Sequence, residues 1–299
     1  MRGQDTRRPE AGGCVAWHPG LGTPQPCTTL RSQAGRAGAS GLLLLVLLGS
    51  WSSGQWRVSP WPPHAVAARR DTSAAARIPF PPVQWKALLL AGDDSIDVFD
   101  HAIEALATLF AQHHIAVVQQ FSTHPTRVSA TVHLATIAQL QAAIPMLQVR
   151  PGEGCLVYAT SHGTREGLLL ARDPISGYRL RPAQLHQVVQ AACGEAPTIL
   201  VLSGCYTGTF LRRELLGPNR IVLTAAAADR PSFGCQAEAP YTYYDGCFLR
   251  EFGTASTWQA LHRAVLRCVA VAERAVRAPS SSPQAFFGRW MHAVPIPQP

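Results

Sequence analysis

Two positions in this chain join a reactive side chain to a setting that could use it, Cys205 and His162. Cys205 lies in Ser203-Gly204-Cys205-Tyr206-Thr207-Gly208, directly after the apolar run 198–202 (TILVL). Taken alone, a cysteine among apolar neighbours is a small buried hydrophobe. Here small residues flank it, leaving room for a substrate backbone. A short helix expected over 210–216 would also turn its amino-terminal dipole toward the sulfur and favour a thiolate. His162 follows the apolar run 155–160 (CLVYAT) in the same manner, within Ser161-His162-Gly163. Gly163 has no side chain to shield its backbone N–H. A sulfur nucleophile, an imidazole to manage protons and backbone donors for an oxyanion are together the parts of covalent acyl transfer. The pair His113-His114 ends an amphipathic stretch and reads as solvated.

Other chemistries find less support. No G-x-S-x-G stands at a strand exit, so a serine hydrolase elbow is excluded. The eight cysteines form no C-x-x-C pair and no His/Cys spacing suited to zinc. No metal is expected. Leaving out Cys14 and Cys27 in the leader, six cysteines remain. If Cys205 is kept free for chemistry, at most two disulfides can form, with their connectivity open.

The elements that must position the pair are apolar strands alternating with amphipathic helices. Strands are expected over 86–91, 116–120, 155–160, 198–202 and 221–225. Helices are expected over 98–113, from apolar residues at helical spacing, over 182–193, with Pro in its first turn, and over 134–144 (stopped by Pro145), 210–216, 243–252 and 258–276. Segments 168–171 and 178–180 flank a turn and read as a small hairpin. Uniformly apolar strands separated by helices indicate a mostly parallel sheet covered on both faces, an α/β architecture. Ligands in such sheets bind beyond the carboxyl ends of the strands. Both His162 and Cys205 fall one to three residues past such an end.

With those residues in place, the stretches YATSHGTREGLLL (158–170) and ILVLSGCYTGTFL (199–211) resemble the His-Gly and Cys blocks of the legumain-type (C13) cysteine peptidases, relatives of the caspases. LLLAGDDSIDVFDHAIEAL (88–106), TAAAADRPSFGC (224–235) and PYTYYDGCFLREF (240–252) resemble further blocks of bacterial members. The resemblance implies a caspase-like three-layer sandwich, a Cys–His dyad, a peptide or protein substrate and no metal or organic cofactor. Carried over by position, Cys205 is the nucleophile and His162 the general acid/base. The backbone N–H groups of Gly163 and Cys205 form the oxyanion hole. Asp94 falls near a histidine-supporting Asn of some members, and Ser203, Tyr206, Ser232 and Asp245 fall at substrate-pocket positions. Tyr206 replaces an acid, and Asp245 is displaced by one residue from its counterpart, so an asparagine preference is not implied. The alternative is a catalytically inactive caspase-like interaction module of the cell envelope.

The chain has 299 residues, of which 47% are hydrophobic and 15% charged, enough to bury one large core. Nine Arg and three acidic residues lie up to Arg77, whereas the rest holds 17 basic and 15 acidic residues. The basic excess therefore belongs to the leader, which argues against nucleic-acid binding by the folded part. Residues 1–54 carry the apolar run 42–48 between arginines and small residues, a secretory signal pattern too short to span a membrane. Export to the periplasm or exterior is the expectation, with membrane contact only if the leader stays as an inner-membrane anchor. A Pro/Ala-rich linker is expected over 55–82, the peptidase-like domain over 83–278, and a Pro/Ser-rich tail over 279–299.

Overall fold

The computed structural model describes residues 83–236 and 238–299. The leader, its apolar run and the linker lie outside the described residues. Seven strands form one sheet in the order β10-β9-β8-β4-β1-β2-β3. They are β1 (Gln84–Ala91), β2 (Ala116–Ser122), β3 (Val132–Leu134), β4 (Glu153–Thr160), β8 (Thr198–Ser203), β9 (Arg220–Thr224) and β10 (Gln284–Phe287). All adjacent pairs are parallel except β9–β10. A second, small sheet holds β5 (Gly163–Thr164), β6 (Gly167–Leu169) and β7 (Arg179–Leu180). The helices are α1 (Val98–Gln112), α2 (Ile137–Ala142), α3 (Ile144–Leu147), α4 (Pro182–Cys193), α5 (Tyr243–Phe252) and α6 (Trp258–Ala275). This is the expected α/β sandwich with a mostly parallel central sheet.

Side chains two apart on a strand share a face, so each apolar strand feeds two cores. On one face Leu89, Tyr158, Val201 and Leu223 pack with α1, α5 and α6, through Phe99, Phe110, Phe248, Phe252 and Trp258. On the other, Leu88, Leu90, Val157, Leu200 and Val222 pack with α2, α3 and α4, through Leu140, Leu147, Leu185 and Val189. Burial of each of these large apolar side chains contributes about 1.5–3 kcal/mol. Two disulfides tie helices to their neighbours, Cys155–Cys193 from β4 to α4 and Cys247–Cys268 from α5 to α6. Cys235 is also disulfide-bonded, and Cys205 is the free cysteine among the described residues.

The chain lays β2 and β3 to one side of β1, then crosses to lay β4, β8 and β9 on the other. The sheet's switch point therefore lies between β1 and β4, where α/β sheets place their ligands. Among the described residues, no helix is long and apolar enough to cross a membrane.

Four expectations are corrected. His113 is buried, not solvated, with its Nδ1 2.6 Å from Pro297 O and its ring against Phe252. The helix expected over 134–144 is broken, because Leu134 ends β3 and Thr136 caps α2, its side chain accepting the Gln139 N–H at 3.2 Å. Pro145 does not stop a helix there but sits in the first turn of α3, where its missing N–H costs nothing. No helix spans 210–216. Thr207–Phe210 forms a single 3-10 turn instead, held to the exit of β9 by the Gly208 N–H donating to Ala226 O at 2.8 Å. The dipole argument for Cys205 therefore lacks its helix. Finally, residues 279–299 belong to the fold. They supply β10, and Met291, Val294 and Ile296 enter the core. Ahead of β10, Ser281 O accepts the Ala227 N–H at 2.9 Å, and Ser280 O accepts from Arg230 at 3.0 Å.

Candidate active site

The ends of β8, β4 and β1 lie side by side, and each is followed by one polar residue of interest: Cys205, His162 and Asp93. Thr160 and Ser203 are register partners, and the Ser161 N–H continues the ladder to Ser203 O at 3.1 Å. The two chains then leave the sheet in contact. A β-carbon at Gly163 would stand 2.8 and 2.9 Å from the carbonyl carbon and nitrogen of Cys205, and closer still to its carbonyl oxygen. Gly204 has φ +156°, and a β-carbon there would meet Leu168 Cδ2 at 2.7 Å. Only glycine permits this approach at either position.

The same contact defines where the Gly163 N–H points. Gly163 and Leu168 are opposite each other, and Leu169 N–H donates to His162 O at 2.8 Å. That makes Gly163–Leu168 a non-hydrogen-bonded pair of the antiparallel ladder, whose N–H groups face outward. The Gly163 N–H is thus turned away from β6, on the edge that borders Gly204 and Cys205.

His162 is half-buried, and its ring meets the edge of Phe99 from α1 at 5.1 Å with planes 79° apart. Burial pushes its pKa below the ordinary value of 6.5, and the nearby Asp93 charge opposes that fall. Asp93 is itself buried, and its carboxylate accepts the Ser95 N–H at 2.8 Å as well as the Ser95 hydroxyl. The Cys205 side of the site is roofed by Ser232. Ser232 N–H approaches Sγ at 3.3 Å, its Oγ lies 3.8 Å away, and the thiol faces Ser232 O at 3.5 Å. Cys205 is 2% exposed. Tyr206 adopts the left-handed conformation at φ 60°, donates its N–H to Arg230 O at 2.8 Å, and carries the Arg165 guanidinium over its ring at 5.5 Å.

The structure thus sets Gly163, the residue after His162, against the Cys205 backbone, with Ser232 over the sulfur and Tyr206 beside it in the chain. It removes two expected residues from the site. Asp94 does not support the imidazole, because its carboxylate is bound by Arg172, with Nε at 2.9 Å. The acid that acts on His162 is its neighbour Asp93. Asp245 cannot contact a substrate, being fully buried beneath the strand ends, where Tyr158 Oη donates to it at 2.6 Å and Thr160 Oγ1 at 2.7 Å. Ser203 is buried as well. Its Oγ lies beside Asp245 without a hydrogen bond of good geometry. Asp93, Phe99 and Arg165 were missed in the sequence. The doublet Asp93-Asp94 after a strand was the available signal for the first of these. Among the described residues, no group of three His, Cys, Asp or Glu could hold a metal ion.

The described residues thus form an α/β protein whose mostly parallel sheet carries a cysteine and a histidine past adjoining strand ends. The profile of the Peptidase C13 family matches residues 115–268, and the chain belongs to that family. Among solved structures it is similar to protein GSU0716 from Geobacter sulfurreducens, with 14% identity, 68% of this chain and 92% of that chain covered, and a TM-score of 0.45. It is also similar to pro-sf-caspase-1, with 13% identity, coverage of 73% and 97%, and a TM-score of 0.49. No curated protein matches the chain.

Proposed function

We propose that the chain is a cysteine endopeptidase that cleaves peptide bonds through Cys205 and His162. The observation that carries this reading is the close contact of Gly163 with the Cys205 backbone, which sets both loops around one point at the sheet's rim. Cys205 passes its thiol proton to His162 as Sγ attacks the peptide carbonyl carbon, forming a C–S bond and an oxyanion. The N–H groups of Gly163 and Cys205 receive that oxyanion. Collapse breaks the C–N bond, with the electron pair going to the amine and a proton from His162 following it. Water, losing its proton to His162, then hydrolyses the thioester and frees the thiol. An amine in place of that water would give transpeptidation.

Asp93 takes the supporting role, its negative charge favouring the imidazolium that donates to the leaving amine. Phe99 fixes the plane of the ring. Tyr206 and Ser232 border the substrate path, with no acid open to it at the Asp245 position. The substrate is a peptide or protein. The disulfides Cys155–Cys193 and Cys247–Cys268, with Cys235 also bonded, fit an oxidising compartment, which supports an exported chain with a cleaved leader or an inner-membrane anchor.

The covered thiol is the observation that favours a non-catalytic envelope module. A peptide-library cleavage profile of the full chain separates the two readings. Cleavage that is lost in both Cys205→Ala and His162→Ala supports the peptidase. Absence of any cleavage, with Cys205 alkylated no faster by iodoacetamide than in the denatured chain, supports the module.

A further inference from the structure

Beneath the site lies a carboxylate that the proposed mechanism does not use. Asp245 stands in the first turn of α5, three residues after the capping Thr242, and is 0% exposed. Its Oδ1 accepts from Tyr158 Oη at 2.6 Å. Its Oδ2 accepts from Thr160 Oγ1 at 2.7 Å and Thr242 Oγ1 at 2.8 Å, while the Asp245 N–H donates back to Thr242 Oγ1 at 3.1 Å. No cationic side chain pairs with it among the described residues. Burial raises the pKa of the carboxyl, and the surrounding hydroxyls offset only part of that rise. The amino-terminal dipole of α5 favours the charge further. A buried, fully bonded group of this kind specifies geometry, because every partner loses its acceptor if the carboxylate goes.

Its partners are the residues that set the dyad. Tyr158 and Thr160 share one face of β4, and Thr160 is the last residue of that strand, two before His162. Ser203, the register partner of Thr160, ends β8 two residues before Cys205 and places its buried hydroxyl beside the same carboxylate. We propose that Asp245 is a positioning residue of the peptidase site, gathering the ends of β4 and β8 and the first turn of α5 so that His162 and Cys205 leave the sheet at the separation the chemistry needs. This rests on the peptidase reading above. It makes Asp245 matter for the chemical step and little for peptide binding.

The test uses the full chain with Asp245→Asn, which keeps the shape and replaces one acceptor oxygen by an amide donor, and Tyr158→Phe, which removes one hydroxyl and keeps the ring. Readouts are thermal unfolding, kcat and KM on a cleaved peptide, and the pH profile of iodoacetamide alkylation at Cys205. The expected result for a folded Asp245→Asn is a kcat about 100-fold lower with KM nearly unchanged, the scale of an ångström-level misplacement. Its Cys205 alkylation profile also shifts from that of the wild type. Tyr158→Phe loses about tenfold in kcat by the same route. A folded Asp245→Asn with wild-type kcat and alkylation profile overturns the proposal. If Asp245→Asn does not fold, wild-type kcat in Tyr158→Phe overturns it. Failure of the underlying reading shows differently, as a wild-type chain that cleaves nothing, and the proposal falls with it.

Discussion

Replacing Gly163 by alanine isolates the contact on which the site depends. The new methyl carbon would lie 2.8 Å from the Cys205 carbonyl carbon and 2.9 Å from its nitrogen. Carbon atoms in comfortable contact sit at about 3.5–4.0 Å. The obstacles are backbone atoms, so no rotamer change relieves them, and the two loops must part by roughly 1 Å. Overpacking of this sort costs about 1–3 kcal/mol. For a folded part of this size that is a fall in Tm of roughly 2–12 °C. The functional cost should be larger in proportion. A displacement of about 1 Å lowers the rate about 100-fold, and misdirecting one oxyanion donor costs about as much again. The assay is kcat/KM on a fluorogenic peptide beside the melting curve. Gly246→Ala is the control, since a β-carbon there meets only the Tyr241 side chain at 3.7 Å and lies within α5. It should raise stability by about 0.5–1 kcal/mol without loss of activity. A Gly163→Ala chain with wild-type Tm and kcat/KM would falsify the idea that the two loops are packed at a working distance.

Three further outcomes are expected. His262 has its pKa lowered to about 4, first by burial and then by Arg263. Its contribution to stability is complete above about pH 6.5, the unfolded value, and is lost as pH falls from there toward about 4, reaching up to roughly 3 kcal/mol. Urea unfolding of His262→Gln at neutral and acid pH should show a smaller acid loss than the wild type, and an equal loss would refute the assignment. The disulfides close separations of 38 and 21 residues, each worth about 3–4 kcal/mol on the chain-entropy account. Reduction under non-denaturing conditions should therefore lower Tm sharply, whereas an unchanged melting curve would show the bridges to be dispensable. Thr257 caps α6, its Oγ1 accepting the Ala260 N–H at 3.1 Å. Thr257→Ala should cost about 0.5–2 kcal/mol by denaturant titration, and no change would mean that the cap is replaced by solvent.

Much of the sheet was readable because its strands are buried on both faces and therefore appear as unbroken apolar runs. The positions of His162 and Cys205 followed from counting past the ends of two such runs. What failed did so for physical reasons. Strands β3 and β10 have only three and four residues, too short to read as strands by pattern, so their existence depends on pairing with β2 and β9. Of the neighbouring acids Asp93 and Asp94, the turn after β1 decides which faces the imidazole, and turn geometry is not encoded in residue type. Asp245 sits in a helical first turn, where an acid is ordinarily solvated. Its inward orientation is set by Tyr158 and Thr160, 87 and 85 positions away. Two polar residues at spacing two inside CLVYAT were the visible sign that this strand face meets a polar group.

The tail carries a practical consequence. Ser280 holds Arg230, Arg230 holds Tyr206, and Tyr206 adjoins the nucleophile, so the chain terminus is mechanically linked to the roof over the sulfur. An affinity tag, a fusion partner or a protease nick placed just before β10 would slacken that linkage while leaving most of the hydrophobic interior intact. A chain nicked there would report on a slackened cover over Cys205 and not on the intact protein.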